Sequence, residues 1–96
     1  MTLAKFLQNN RDEILAISKK HGAFNIRIFG SIARDEYDDL SDIDILVDVE
    51  SGTSLFDLGG LSTELENLLG RKVDIVTERG LRNRIRDKIL KEAKPL

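Results

Sequence analysis

Residues 30–44, GSIARDEYDDLSDID, decide how this chain reads. They join a Gly-Ser turn opening a short helix to two aspartates, Asp42 and Asp44, at the mouth of an apolar strand. Gly30 permits close backbone approach, the first turn of a helix presents unpaired N–H groups to an anion, and Ser31 adds a hydroxyl donor. In a strand, Asp42 and Asp44 have Cα atoms about 6.5–7 Å apart and carboxylates on one face, where both can reach one divalent ion. Without a cation their repulsion raises at least one pKa.

Working outward, residues 42–49 alternate. Ile43, Ile45, Val47 and Val49 point one way, and Asp42, Asp44, Leu46 and Asp48 the other. This predicts a sheet covered by helices on one face and comparatively open on the other. Residues 24–29 form the preceding strand, with Phe24, Ile26 and Ile28 on the covered side and Asn25, Arg27 and Phe29 opposite. Residues 71–76 form a third, which puts Asp74 in the same phase as the aspartate pair. An isolated D-x-D is most often a solvated surface or a turn cap; a third carboxylate on a neighbouring strand separates this one from that background.

The helices fill the intervals. Thr2 caps one predicted to run to about Lys20, closed by His21 and Gly22. The helix after Gly30-Ser31 is predicted to end near Glu36 to Tyr37. Another runs from Leu55 to Leu69, with Ser54 and Asp57 as a capping box, Gly70 as its stop, and Gly59-Gly60 as a point where it is either kinked or split. Thr77 caps the last, whose Leu81, Ile85, Ile89 and Leu90 make a packing stripe beside Arg82 and Arg86, with Pro95 beyond its end. The order is α-β-α-β-α-β-α, and the helix between the second and third strands implies a parallel pair, with the first strand antiparallel.

A chain of 96 residues, 41% hydrophobic and 33% charged, is expected to form a single domain over 1–96. No apolar run is long enough to span a bilayer and the N-terminus lacks a secretory signal, so a cytoplasmic protein without membrane contact is expected. The absence of cysteine excludes thiolate sites and a lone histidine argues against zinc, which leaves oxygen ligands for any metal. Residues 1–70 carry six Lys/Arg against 13 Asp/Glu, and residues 71–96 nine against four. Overall acidity argues against stable nucleic-acid binding, while the basic tail suits phosphates, an acidic partner or simply a solvated face. A P-loop's second glycine and Lys-Ser/Thr are missing, as is the central glycine of an EF-hand.

On G-S-x-A-R at 30–34 followed by S-D-I-D-I-L-V at 41–47, the chain resembles the DNA polymerase β-like nucleotidyltransferase superfamily. Its brevity is similar to the minimal, MNT-type members, among them the MntA-like antitoxins of HEPN/MNT toxin–antitoxin pairs. The resemblance implies the nucleotidyltransferase fold, of α/β (α+β) class, with a three-stranded mixed sheet in order 1-2-3 and helices packed on one face. It implies that Gly30 and Ser31 bind the triphosphate, and that Asp42, Asp44 and Asp74 are catalytic and hold two Mg²⁺ ions, Asp74 helping to activate the attacking hydroxyl. Arg34 either assists the phosphates or pairs with Asp35 or Glu36. Residue 35 departs from the pattern, being Asp where relatives often carry Gly.

The implied reaction moves AMP from ATP, or NMP from another nucleoside triphosphate, to a hydroxyl, foremost a tyrosine of a HEPN-type helical toxin. Two other functions stay open. One is an antitoxin that neutralises its partner by contact alone; the other is a small-molecule nucleotidyltransferase acting as a homo-oligomer. Arg27, sharing a face with Asp44 and Asp74, either balances charge or touches nucleotide, Arg82 and Arg86 meet phosphate or a partner, and Tyr37 packs on the sheet or is self-modified.

Overall fold

The computed structural model describes residues 2–96. Thr2 caps the first helix by accepting from the Lys5 amide at 3.1 Å, but the single helix expected to reach Lys20 is two, α1 (Leu3–Asn9) and α2 (Arg11–Lys20). Asn10 makes the break. Its Nδ2 donates to the Phe6 carbonyl at 2.8 Å, the side-chain-to-backbone bonding by which Asn competes with helix. His21 caps α2 and Gly22 follows at φ +80°, as expected.

β1 (Ala23–Phe29) brings a correction. Asn25 sits at φ +51° and the pairing with β2 (Ile43–Val49) slips between Phe24 and Arg27. An extra residue at a bulge reverses the alternation on its far side. Phe24, expected beside Ile26 and Ile28, is therefore 49% exposed, and Ala23 is buried instead. The bulge is tied down by Asn25 Nδ2, which donates to Asp48 Oδ2 at 2.9 Å.

Phe29 leads into α3 (Gly30–Ala33), one turn long rather than reaching Glu36. Asp35 ends it at φ +59°. Glycine suits that left-handed conformation best, but Asp is among the residues that tolerate it, so the turn survives the departure at position 35.

α4 (Leu55–Leu69) follows β2 and passes through Gly59-Gly60 without interruption. Gly60 has a packing reason: a Cβ there would come within 2.9 Å of the His21 ring, whose Nε2 lies 2.9 Å from Glu64 Oε1. The Ser54–Asp57 capping box forms in both directions and Gly70 closes the helix at φ +67°. β3 (Val73–Thr77) then pairs parallel to β2, while β1 and β2 are antiparallel.

Thr77 does not cap the last helix. Its hydroxyl accepts from the Gly80 amide at 3.1 Å, closing a 3-10 turn at Glu78–Gly80. α5 (Asn83–Glu92) starts only after Arg82, which leaves Leu81 outside the expected stripe. Beyond it β4 (Lys94–Pro95) pairs with β1, so the expected order 1-2-3 gains a short fourth strand as β3-β2-β1-β4. Pro95, lacking an N–H, is at home on this edge.

One face of the sheet carries the core. Ile26, Ile28, Ile43, Ile45, Val47 and Val73 pack against Leu7 of α1, Ile14 of α2 and Leu61, Leu65 and Leu69 of α4. Each side chain so buried contributes about 1.5–3 kcal/mol. The other face is less open than the alternation suggests. Leu46, which pairs there with Arg27 and Val76, is 0% exposed yet outside this cluster, as is the buried Ile89 of α5.

Candidate active site

Gly30 is the hinge of the site. It leaves β1 at φ +74°, and a Cβ added to it would collide with the Asp44 carboxylate. Only glycine meets both demands, a left-handed backbone and the space Asp44 occupies. The Gly-Ser turn and the aspartate motif, fourteen residues apart in the chain by their numbers, are therefore in van der Waals contact.

The carboxylates come from two strands and a loop. Asp44 on β2 is the register partner of Asp74 on β3 and of Phe29 on β1. Neighbouring strands lie about 4.8 Å apart, so Asp44 and Asp74 are side by side. Asp42 falls one residue before β2 instead of inside it. The loop leading to it is ordered by Arg71, whose Nη1 donates to the carbonyls of Asp38 and Ser41 at 3.0 and 2.6 Å, and by the Asp38 Oδ1 that accepts from the Leu40 amide at 2.8 Å. Lys72 Nζ lies 3.7 Å from Asp42 Oδ2.

This clustering has an electrostatic signature. Burial raises the Asp44 pKa above the ordinary carboxylate value, the charges of Asp74 and Asp42 raise it further, Arg34 opposes them, and Glu92 adds to the rise. Such crowding of acids is a cost that a hard cation bound by oxygen would remove, so the donor set fits Mg²⁺. The three aspartates do not form a closed cage: among the described residues no three acidic or histidine side chains form a metal-ligand group as they stand.

Arg34 forms the expected pair with Glu36 and adds one with Glu92. Its Nε donates to Glu36 at 3.1 Å and its Nη1 to Glu92 at 3.0 Å, and these bonds, Glu92 first, raise its pKa. Ser31 lies in α3 beside Gly30, its carbonyl accepting from the Glu36 amide at 2.8 Å. Arg27 balances charge, though not that of Asp44 or Asp74: it pairs with Asp48 at 3.0 Å and Glu78 at 3.2 Å. Arg86 joins the same group through Glu78 at 3.0 Å, whereas Arg82 precedes α5 on the surface. The Tyr37 hydroxyl accepts from the Leu3 amide at 3.1 Å and the ring packs against the core.

Glu92 is the site's unannounced member. It ends α5, 62 residues from Gly30 in sequence, and its Oε1 accepts from the Gly30 amide at 3.1 Å. No spacing rule could place it there; only the path of α5 does. Arg71 was equally unmarked, since its role is to bond two carbonyls.

The nucleotidyltransferase domain family matches residues 11–96. A Methanocaldococcus jannaschii protein provisionally named protein adenylyltransferase MJ0435 is 47% identical over 81 residues, 84% of this chain and 87% of that one. Protein adenylyltransferase MntA of Thermococcus cleftensis is 40% identical over 76 residues, 79% and 77% of the two chains. A solved structure described provisionally as a minimal nucleotidyltransferase superposes with a TM-score of 0.86 at 47% identity, over 96% of this chain and 94% of that one. A toxin–antitoxin crystal structure with AMP-PNP shares the fold, with a TM-score of 0.76 at 23% identity over 90% and 71%.

Proposed function

Because this chain belongs to the nucleotidyltransferase domain family, we propose that residues 1–96 act as one minimal domain transferring AMP from ATP to a hydroxyl of a partner protein. The observation that carries this reading is the packing of Gly30 on Asp44 with Asp74 alongside. A triphosphate held at the Gly30–Ser31 turn would then present its α-phosphorus to the carboxylates. Names of similar proteins, protein adenylyltransferases, favour a protein acceptor.

The triphosphate binds to the Gly30 and Ser31 amides, the Ser31 hydroxyl and the Arg34 guanidinium. Asp42, Asp44 and Asp74 would hold two Mg²⁺ ions, which would supply charge neutralisation for the phosphates and acidity for the acceptor. Asp74 orients the acceptor hydroxyl and takes its proton, releasing it to solvent. The acceptor oxygen bonds to the α-phosphorus in line as the bond to the bridging oxygen of the β-phosphate breaks, and pyrophosphate leaves. Asp42 and Asp74 remain part-exposed, which leaves them open to an acceptor from outside the chain. A HEPN-type helical toxin, modified on tyrosine, suits that geometry and makes the protein an antitoxin.

The test uses α-labelled ATP, Mg²⁺ and a candidate helical toxin. Label retained on the toxin, and lost with Asp42→Asn/Asp44→Asn, is the expected result. Equal background from wild type and variant, with the toxin still neutralised, would replace catalysis by neutralisation through contact. Label appearing only on small hydroxyl compounds, from a dimer, would replace the protein acceptor.

A further inference from the structure

Glu92 stands where an anion is wanted. Its two oxygens take the Gly30 amide at 3.1 Å and Arg34 Nη1 at 3.0 Å, and its side chain is 16% exposed. Both donors belong to the set assigned above to the triphosphate. A carboxylate and a phosphate offer the same kind of anionic oxygen to such donors, so the two compete for them. We propose that Glu92 is a built-in competitor for the triphosphate cradle, and that a nucleotide binds by displacing its carboxylate; this rests on the nucleotidyltransferase reading.

The surroundings indicate how it moves. Residues 94 and 95 pair with Ile28 and Arg27, and the Leu96 amide donates to the Ile26 carbonyl at 3.1 Å, so the backbone just past Glu92 is pinned to the sheet. Displacement is then a swing of the side chain away from Gly30, with α5 left in place. A tether between α3 and α5 needs no charge, since the neutral Gln could also accept from the Gly30 amide, though more weakly than a carboxylate and so with less hold on the cradle. A carboxylate here instead adds a fourth acid beside Asp42, Asp44 and Asp74, a repulsion that its departure relieves. The price of entry falls on every ligand that uses the cradle, and only on those: an apparent affinity is divided by the fraction of molecules with Glu92 withdrawn.

Calorimetric titration of the full chain and of Glu92→Gln and Glu92→Ala with Mg²⁺–AMP-PNP, tripolyphosphate and adenosine tests this. Both phosphate probes are expected to bind the variants about tenfold more tightly, the change for a carboxylate that occupies the cradle in about nine molecules of ten, with no gain for adenosine. Equal or weaker phosphate binding by both variants, with unchanged melting, would overturn the competitor and leave the transferase standing. No AMP-PNP binding by any of the three proteins would overturn both. The wild-type chain offers a check that needs no substitution. The Glu92 side-chain carboxyl resonance should shift on saturation with Mg²⁺–tripolyphosphate, and a resonance that stays in place would refute displacement.

Discussion

Two ends of one sheet face hold acids in opposite ways. At one end Asp48 is bonded by Arg27 at 3.0 Å, Arg27 also bonds Glu78, and Glu78 bonds Arg86, so the acids alternate with guanidinium groups. At the other, Asp44 lies among Asp42, Asp74 and Glu92 with Arg34 as the counter-charge that eases it. The same strand carries both, four residues and about 13 Å apart. Position on a strand therefore does not tell a structural carboxylate from a chemical one; the neighbours do. Arg27 neutralises its end permanently, whereas the Asp44 end keeps a deficit of positive charge that a divalent cation can meet.

The contrast can be broken from either side. The largest effect is expected at the uncompensated end: Asp42→Asn/Asp44→Asn should lower AMP transfer by at least about a thousandfold in the label-transfer assay. Its thermal midpoint at neutral pH should be unchanged or higher. Asp44 has a raised pKa, so the native state holds that proton more tightly than the unfolded chain; stability falls as pH rises through its titration, and Asn removes this loss.

At the compensated end the order inverts. Arg27→Ala should cost about 2 kcal/mol in urea unfolding, because Asp48 and Glu78, each about a third exposed, lose a charged hydrogen-bond partner. Transfer by the folded fraction should be nearly intact. A transfer loss larger than the loss of folded protein would place Arg27 among the nucleotide contacts instead.

Asp57 sharpens the comparison, being an acid stabilised by hydrogen bonds instead of by a cation. Bonds from the Ser54 backbone and side chain lower its pKa. That stabilisation is complete above the ordinary carboxylate pKa and is lost as pH falls through the depressed native value, so Asp57→Asn should flatten the acid limb of a stability–pH curve. Ser54→Ala, which removes the cap itself, should cost about 1 kcal/mol at neutral pH. The smallest change is Asp35→Gly. Relief of the φ +59° backbone should outweigh the added freedom of the unfolded chain by roughly 0.5 kcal/mol, seen as a small rise in thermal midpoint.

Much of the fold was legible because it follows from periodicity. The phases of residues 42–49 and 71–76 predict Asp44 beside Asp74, and the parallel register of β2 and β3 pairs them. The capping box at Ser54 and the stop at Gly70 are local chemistry and appear as expected. Three misplacements have two causes: one is pairing with a distant strand, and two are local hydrogen bonds that hydrophobic periodicity does not register. Phe24 keeps phase with Ile26 on paper, yet the bulge at Asn25, stabilised by Asp48 from another strand, turns it outward. Thr77 carries a cap signal that a 3-10 turn uses first. The helix over the first twenty residues breaks where the Asn10 side chain takes a backbone carbonyl.

Sequence alone determined what short-range order can specify: which residues alternate, which ones cap, and that a Gly-Ser turn precedes three aspartates in matching phase. The depth of contact between Gly30 and Asp44, the division of one face into balanced and unbalanced ends, and the arrival of Glu92 at the Gly30–Ser31 turn were decided by tertiary structure. The reason is distance along the chain. Periodicity extends over one element, while a charge acts on whatever folding brings within a few ångströms, and here that includes a glutamate from the far end of the last helix.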